Sequence, residues 1–202
     1  MDNQDRSRGI TTRPSSFTTE TPKKHSIAFI TGATSGVGYA AARLLSEEGW
    51  REIIVTGRSL AKAQEAAAQL AAQTKTQVFT PLELELDKPS SVKSVLAYLV
   101  KRGRQIDLLL LNAGIMGVKE RVLTAEGIEV SEAPLIGHHR LTVGLLRANL
   151  LSPNARIVIA GSEAARGDVP LFSYTDVAAL AATYFHGDRT AAVALIFYRG
   201  YW

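Results

Sequence analysis

In the stretch FITGATSGVGYAAARLLSEEG, residues 29–49, an apolar run ends at Thr31, glycines follow at positions 32, 36 and 38, and an alanine-rich amphipathic segment begins at once. A turn that bare between a strand and a helix is a phosphate cradle. Gly32 allows a tight exit from the strand, Gly36 clears side-chain bulk so that a pyrophosphate can reach the backbone, and Gly38 lets the helix pack closely. The helix opening near Val37 turns free N–H groups and its positive dipole end toward the anion. The hydroxyls of Thr34 and Ser35 add donors.

Outward from this turn, short β-rich runs alternate with longer helical ones. Strands are expected at 26–31, 51–57, 76–86, 106–114 and 155–161. Helices are expected at 36–49, closed by Gly49, at 60–74, capped by Ser59, and at 89–103, with Pro89 near the start and Gly103 past the end. A further helical pattern, broken by Pro134, runs from about residue 127 to 151. Continuous apolar strands separated by helices imply parallel pairing with both faces covered, an α/β doubly wound sheet. In such sheets ligands sit beyond the carboxyl ends of the strands, where the 32–38 turn lies.

The bulk composition fits this reading. A chain of 202 residues with 46% hydrophobic content and no cysteine suits one domain, excludes disulfide scaffolds, zinc–thiolate sites and cysteine nucleophiles, and suggests a reducing compartment. The net charge of +4 is scattered among acids, which argues against a nucleic-acid partner. Residues 1–25 are rich in Ser, Thr and charge and are expected to form a flexible tail, leaving 26–202 as the domain. Neither a secretory signal nor a membrane span is apparent, so the expected location is cytoplasmic. His138 and His139 project in different directions on a helix and lack acidic companions, so no metal site is expected.

The turn has the form Thr-Gly-x-x-x-Gly-x-Gly, and the segment LNAG places Asn112, Ala113 and Gly114 at the end of the fourth strand. Together these resemble the short-chain dehydrogenase/reductase family over roughly residues 26–162. The resemblance implies a Rossmann-like sheet of order 3-2-1-4-5, here lacking the last strands. It makes Asp87 the acid that hydrogen-bonds the adenine amino group and Ser162, after the fifth strand, the catalytic serine. It also implies hydride transfer between a nicotinamide and a small carbonyl or alcohol, and it leaves homo-oligomerisation open. Many NAD-binding sheets end the second strand with a carboxylate that holds the ribose. This chain has Arg58 there, matched to a 2′-phosphate, so NADP(H) is preferred and NAD(H) is the alternative.

The catalytic set departs from the family pattern. Members use Ser, Tyr and a Lys four residues after the Tyr, because a tyrosine with a pKa of about 10 needs help to transfer protons near neutrality. The last lysine of this chain is Lys119. Tyr174 stands twelve residues after Ser162 and is followed at that interval by Ala178, Tyr184 by Asp188, and Tyr198 by Trp202. Residues 175–200 look like a helical insertion that some bacterial members carry, which would place the end of the chain just before the Tyr-x-x-x-Lys helix. Leu135 stands where members commonly carry an asparagine of a proton relay. The chain is therefore expected to bind cofactor better than it turns over substrate. A non-catalytic NADP(H)-binding or sensing module and an inert fragment are the alternatives.

Overall fold

A computed structural model describes residues 26–115 and 122–161. Five strands, β1 (Ile27–Ile30), β2 (Glu52–Gly57), β3 (Phe79–Glu83), β4 (Ile106–Leu111) and β5 (Leu151–Ile159), form one sheet of order β3-β2-β1-β4-β5. Every pairing is parallel, as the apolar runs and intervening helices require. Helices α1 (Gly36–Glu47), α2 (Leu60–Thr74), α3 (Pro89–Arg102) and α4 (Ala133–Arg147) make the crossovers.

The central strands carry side chains that are buried on both faces, and this divides the core in two. On one face Ile30, Ile53 and Val55 pack with Ala42, Ala66 and Leu70 of α1 and α2. On the other, Phe29, Ile54 and Leu109 pack with Val92, Val95 and Leu99 of α3 and with Leu141 and Leu145 of α4. Each fully buried Leu, Ile or Phe contributes about 1.5–3 kcal/mol relative to exposure, so the two layers fix the sheet between the helices.

Sequence boundaries needed three corrections. Pro134 does not break a helix begun at 127: it lies in the first turn of α4, where its missing N–H costs nothing. The third strand stops at Glu83, not at 86, so Asp87 sits in the turn leading to α3 and not at the strand end. The fifth strand starts at Leu151, not 155, because Ile106 pairs with Leu151 while Leu108 pairs with Arg156, leaving a bulge around Pro153. Ser59 does cap α2 by accepting from Lys62 N, and Gly103, at φ +60°, does close α3.

The N-terminal rim of the sheet is held by charge. Glu52, buried at the start of β2, takes both guanidinium nitrogens of Arg102 at 2.6 and 3.0 Å, Arg104 at 2.9 Å and the Thr80 hydroxyl at 2.8 Å. Burial alone would raise its pKa, but the hydrogen bonds from Arg102 and Thr80 and the two guanidinium charges outweigh it and hold the carboxyl below its ordinary value. This cluster lies at the end of the strands opposite the glycine turn, so it anchors the fold away from that turn.

Candidate cofactor site

The turn after β1 is pinned on both sides. Thr56, the penultimate residue of β2, accepts from Gly32 N at 3.3 Å through its hydroxyl and from Ala33 N at 2.9 Å through its carbonyl, while its own hydroxyl donates to Ile30 O at 3.0 Å. From β4, the Asn112 side-chain amide donates to Thr31 O at 3.1 Å and to Gly32 O at 3.0 Å. That amide clamps the loop.

Gly32 has φ +66°, and a Cβ there would lie 2.9 Å from the Ala113 backbone, so both conformation and space require glycine. Gly38 has no such backbone demand; a Cβ on it would lie 2.4 Å from Gly32 O and 2.5 Å from Asn112 Nδ2. Its bareness lets α1 close on the turn and on Asn112, which is the close packing expected of it. Gly36, at φ +57°, is exposed on the rim.

What the turn leaves available decides its chemistry. Ser35 occupies the N-cap position of α1, yet its hydroxyl makes no capping hydrogen bond, unlike that of Ser59 on α2. Among the described residues no acceptor takes the first-turn amides of Gly36 and Val37. Ser35, Gly36 and Val37 are all exposed, and Thr34 is half-buried. Free amides, an uncommitted hydroxyl and the positive end of a twelve-residue helix therefore converge on one open spot. Arg58, one residue past β2, is exposed and makes no ion pair among the described residues. Ala113 and Gly114 follow β4 on the same rim, and Asp87 lies half-buried beyond β3. All eleven residues expected to hold a cofactor thus lie on the loops at the carboxyl ends of β1 to β4 or in the first turn of α1. Ser162 and Tyr174 fall outside the described residues. No group of three or more His, Asp or Glu side chains capable of holding a metal exists among the described residues.

Besides Thr56, two residues of the site were not anticipated in their actual roles. The Thr31 hydroxyl accepts from Asn112 N at 2.8 Å and Ala113 N at 3.0 Å and lies 2.8 Å from His138 Nε2. His138 is buried while His139 beside it is exposed, as adjacent helical positions dictate. The spacing of His138 with Leu141 and Leu145 marks it as inward-facing. Its partner, 107 residues away, left no trace in sequence.

Burial pulls the His138 pKa down from 6.5 to about 4. The folded chain keeps the imidazole neutral while the unfolded chain protonates it below about 6.5. Its contribution to stability is thus fully present above that pH and is lost as pH falls toward 4, by up to about 1.4 kcal/mol per pH unit. In urea denaturation, the stability lost between pH 7.5 and pH 5 should be about 2 kcal/mol larger for the native chain than for His138→Gln. Equal losses would show that the fold accepts the imidazolium.

A parallel sheet of this order, with a glycine turn at its switch point, defines a Rossmann-like domain. Comparison with known proteins gives the family: residues 26–175 match the short chain dehydrogenase model, and the chain belongs to that family. It is 38% identical over 148 residues to a chloroplastic protochlorophyllide reductase of Cucumis sativus, covering 71% of this chain and 36% of that protein. It is 36% identical over 138 residues to a probable oxidoreductase of Streptomyces antibioticus, covering 68% and 45%. The chain thus spans between about a third and a half of the length of these relatives. Among solved structures, an alcohol dehydrogenase of Thermococcus sibiricus complexed with 5-hydroxy-NADP superposes with a TM-score of 0.59 at 23% identity, over 72% of this chain and 62% of that one. A short-chain dehydrogenase of Sphingobium yanoikuyae in complex with NADPH gives 0.54 at 22%, over 85% and 61%. These likenesses carry the fold. No helix among the described residues is long and apolar enough to cross a membrane.

Proposed function

We propose that this chain binds NADP(H) at the 32–38 turn and serves an oxidoreductase reaction, hydride transfer between the nicotinamide and a small carbonyl or alcohol. The observation that carries the reading is the conjunction of unclaimed amides at Gly36 and Val37 with the uncommitted Ser35 hydroxyl at the start of α1. The diphosphate lies on those groups. Asp87 takes the adenine amino group, Ala113 and Gly114 border the nicotinamide side, and Asn112 keeps the turn in shape. Hydride transfer is the chemistry of the bound cofactor, and the protein supplies orientation and a proton path. Ser162 is the proposed substrate-oxygen partner, within the segment matched to the family.

The preference for the phosphorylated cofactor rests on Arg58. A guanidinium with no competing ion pair among the described residues offers a 2′-phosphate charge-assisted hydrogen bonds worth about 1.5–3 kcal/mol each. Fluorescence titration should therefore show NADPH bound more tightly than NADH, and Arg58→Ala should lower that ratio at least about tenfold. An unchanged ratio removes the NADP(H) preference; no binding of either at millimolar concentration removes the cofactor reading. Ala178 stands four residues after Tyr174, where the family pattern has its lysine, and this favours a second reading, a cofactor-binding module without turnover. Cofactor binding with no NADPH oxidation across a panel of aldehydes and ketones would select it.

A further inference from the structure

We propose that His138 is a positioning residue of the cofactor site, setting the Thr31 hydroxyl so that it locks the end of β4 to the turn after β1. The inference deepens the cofactor reading and rests on it for its functional consequence. Its structural part stands alone.

A threonine hydroxyl has two acceptor positions and one proton. Here the two acceptor positions are taken by the amides of Asn112 and Ala113, at 2.8 and 3.0 Å. The proton has two candidate acceptors, His138 Nε2 at 2.8 Å and Leu110 O at 3.4 Å. Leu110 O already receives Thr31 N at 2.9 Å, and the shorter, buried contact to the imidazole is the better bond. The hydroxyl therefore donates to Nε2, which must be bare, so the ring proton sits on Nδ1. An imidazole protonated at Nε2 would aim a third donor at an oxygen that has no lone pair left.

This arrangement links three separate elements through one atom. The hydroxyl belongs to the last residue before Gly32, the two amides begin the segment bearing Ala113 and Gly114, and the imidazole comes from α4. Without the imidazole the hydroxyl proton turns elsewhere and its lone pairs leave the two amides. The Ala113 backbone against which Gly32 is packed then loses a restraint.

Nitrogen-15 NMR of histidine-labelled protein at neutral pH should show His138 as the Nδ1–H tautomer with an unprotonated Nε2, and Thr31→Val should abolish that signature. Hydrogen exchange at the Asn112 and Ala113 amides should quicken in His138→Leu and in Thr31→Val. It should return toward the native rate in His138→Gln, whose side-chain oxygen can accept the same proton. The NADPH dissociation constant should rise about tenfold in His138→Leu, stay within about threefold in His138→Gln, and be no weaker in the Thr31→Val/His138→Leu pair than in Thr31→Val alone. An Nε2–H tautomer in the native chain overturns the proposal, as does equal behaviour of the Leu and Gln variants in exchange. Should the native chain bind no NADPH, the cofactor reading fails, while tautomer and amide exchange still decide the role of His138. Should His138→Leu not fold, the native tautomer and the Gln variant decide it.

Discussion

Gly38→Ala should weaken NADPH binding at least about a hundredfold, a loss of nearly 3 kcal/mol. The methyl group would be placed 2.4 Å from Gly32 O, 2.5 Å from Asn112 Nδ2 and 3.1 Å from Ala33 Cα, and two of those three atoms are main chain. Overpacking of this kind costs roughly 1–3 kcal/mol even where side chains can yield. Here the yielding group would be the Asn112 amide, whose bonds to Thr31 O and Gly32 O hold the turn. Alanine does offer the helix up to about 1 kcal/mol over glycine, so the fold itself should survive with a modest drop in stability. The damage therefore falls on the ligand. Displacing α1 from the turn by even half an ångström misaligns the Gly36 and Val37 amides on which the proposed diphosphate site rests. Leu44→Ala, on the same helix at a half-exposed position, serves as the comparison and should leave affinity within about threefold. Titration of both variants with NADPH checks the prediction, and an affinity for Gly38→Ala equal to that of Leu44→Ala would mean that the turn does not grip the cofactor.

The features legible in sequence were those written in local chemistry. Strand and helix alternation followed from apolar runs and alanine-rich periodic segments, and the parallel order followed from the crossovers that helices force on the chain. The glycine spacing marked the turn because positive φ at 32 and 36 favours glycine and because close approach at 32 and 38 leaves no room for a Cβ. Contacts made at long range could not be read. Thr31 and His138 are unremarkable residue types, and only the sheet brings them to 2.8 Å. Asn112 announced itself as part of the site, but its side chain faces the loop because two carbonyls, at Thr31 and Gly32, meet there. Thr56 was hidden for a different reason: a β-branched residue at the end of a strand looks like strand propensity until its hydroxyl is seen bracing the neighbouring turn. Pro134 misled because the same residue that ends a helix in its interior begins one in its first turn.

The second large effect should arise on the far side of the sheet, where Gly137 and Gly144 occupy the same helix two turns apart and face neighbours of different stiffness. A Cβ on Gly137 would lie 2.2 Å from Leu86 O and 2.8 Å from Leu86 C, both main chain. A Cβ on Gly144 would lie 2.3 Å from the tip of the Leu96 side chain, which can rotate away. Helix propensity gains are about equal for the two substitutions, about 1 kcal/mol each, so their difference isolates the clash. Gly137→Ala is expected to cost roughly 3 kcal/mol of stability and Gly144→Ala less than about 1 kcal/mol, read as urea midpoints. Position 137 also carries a functional cost. Leu86 immediately precedes Asp87, and His138 immediately follows Gly137, so pushing α4 and the Leu86 carbonyl apart moves the proposed adenine end of the site and the Thr31–His138 bond together. NADPH affinity should fall at least about tenfold in Gly137→Ala and remain near native in Gly144→Ala. Matching midpoints for the two variants would show that α4 does not press on the Asp87 turn as the structure describes, and that the adenine acid is positioned by some other contact.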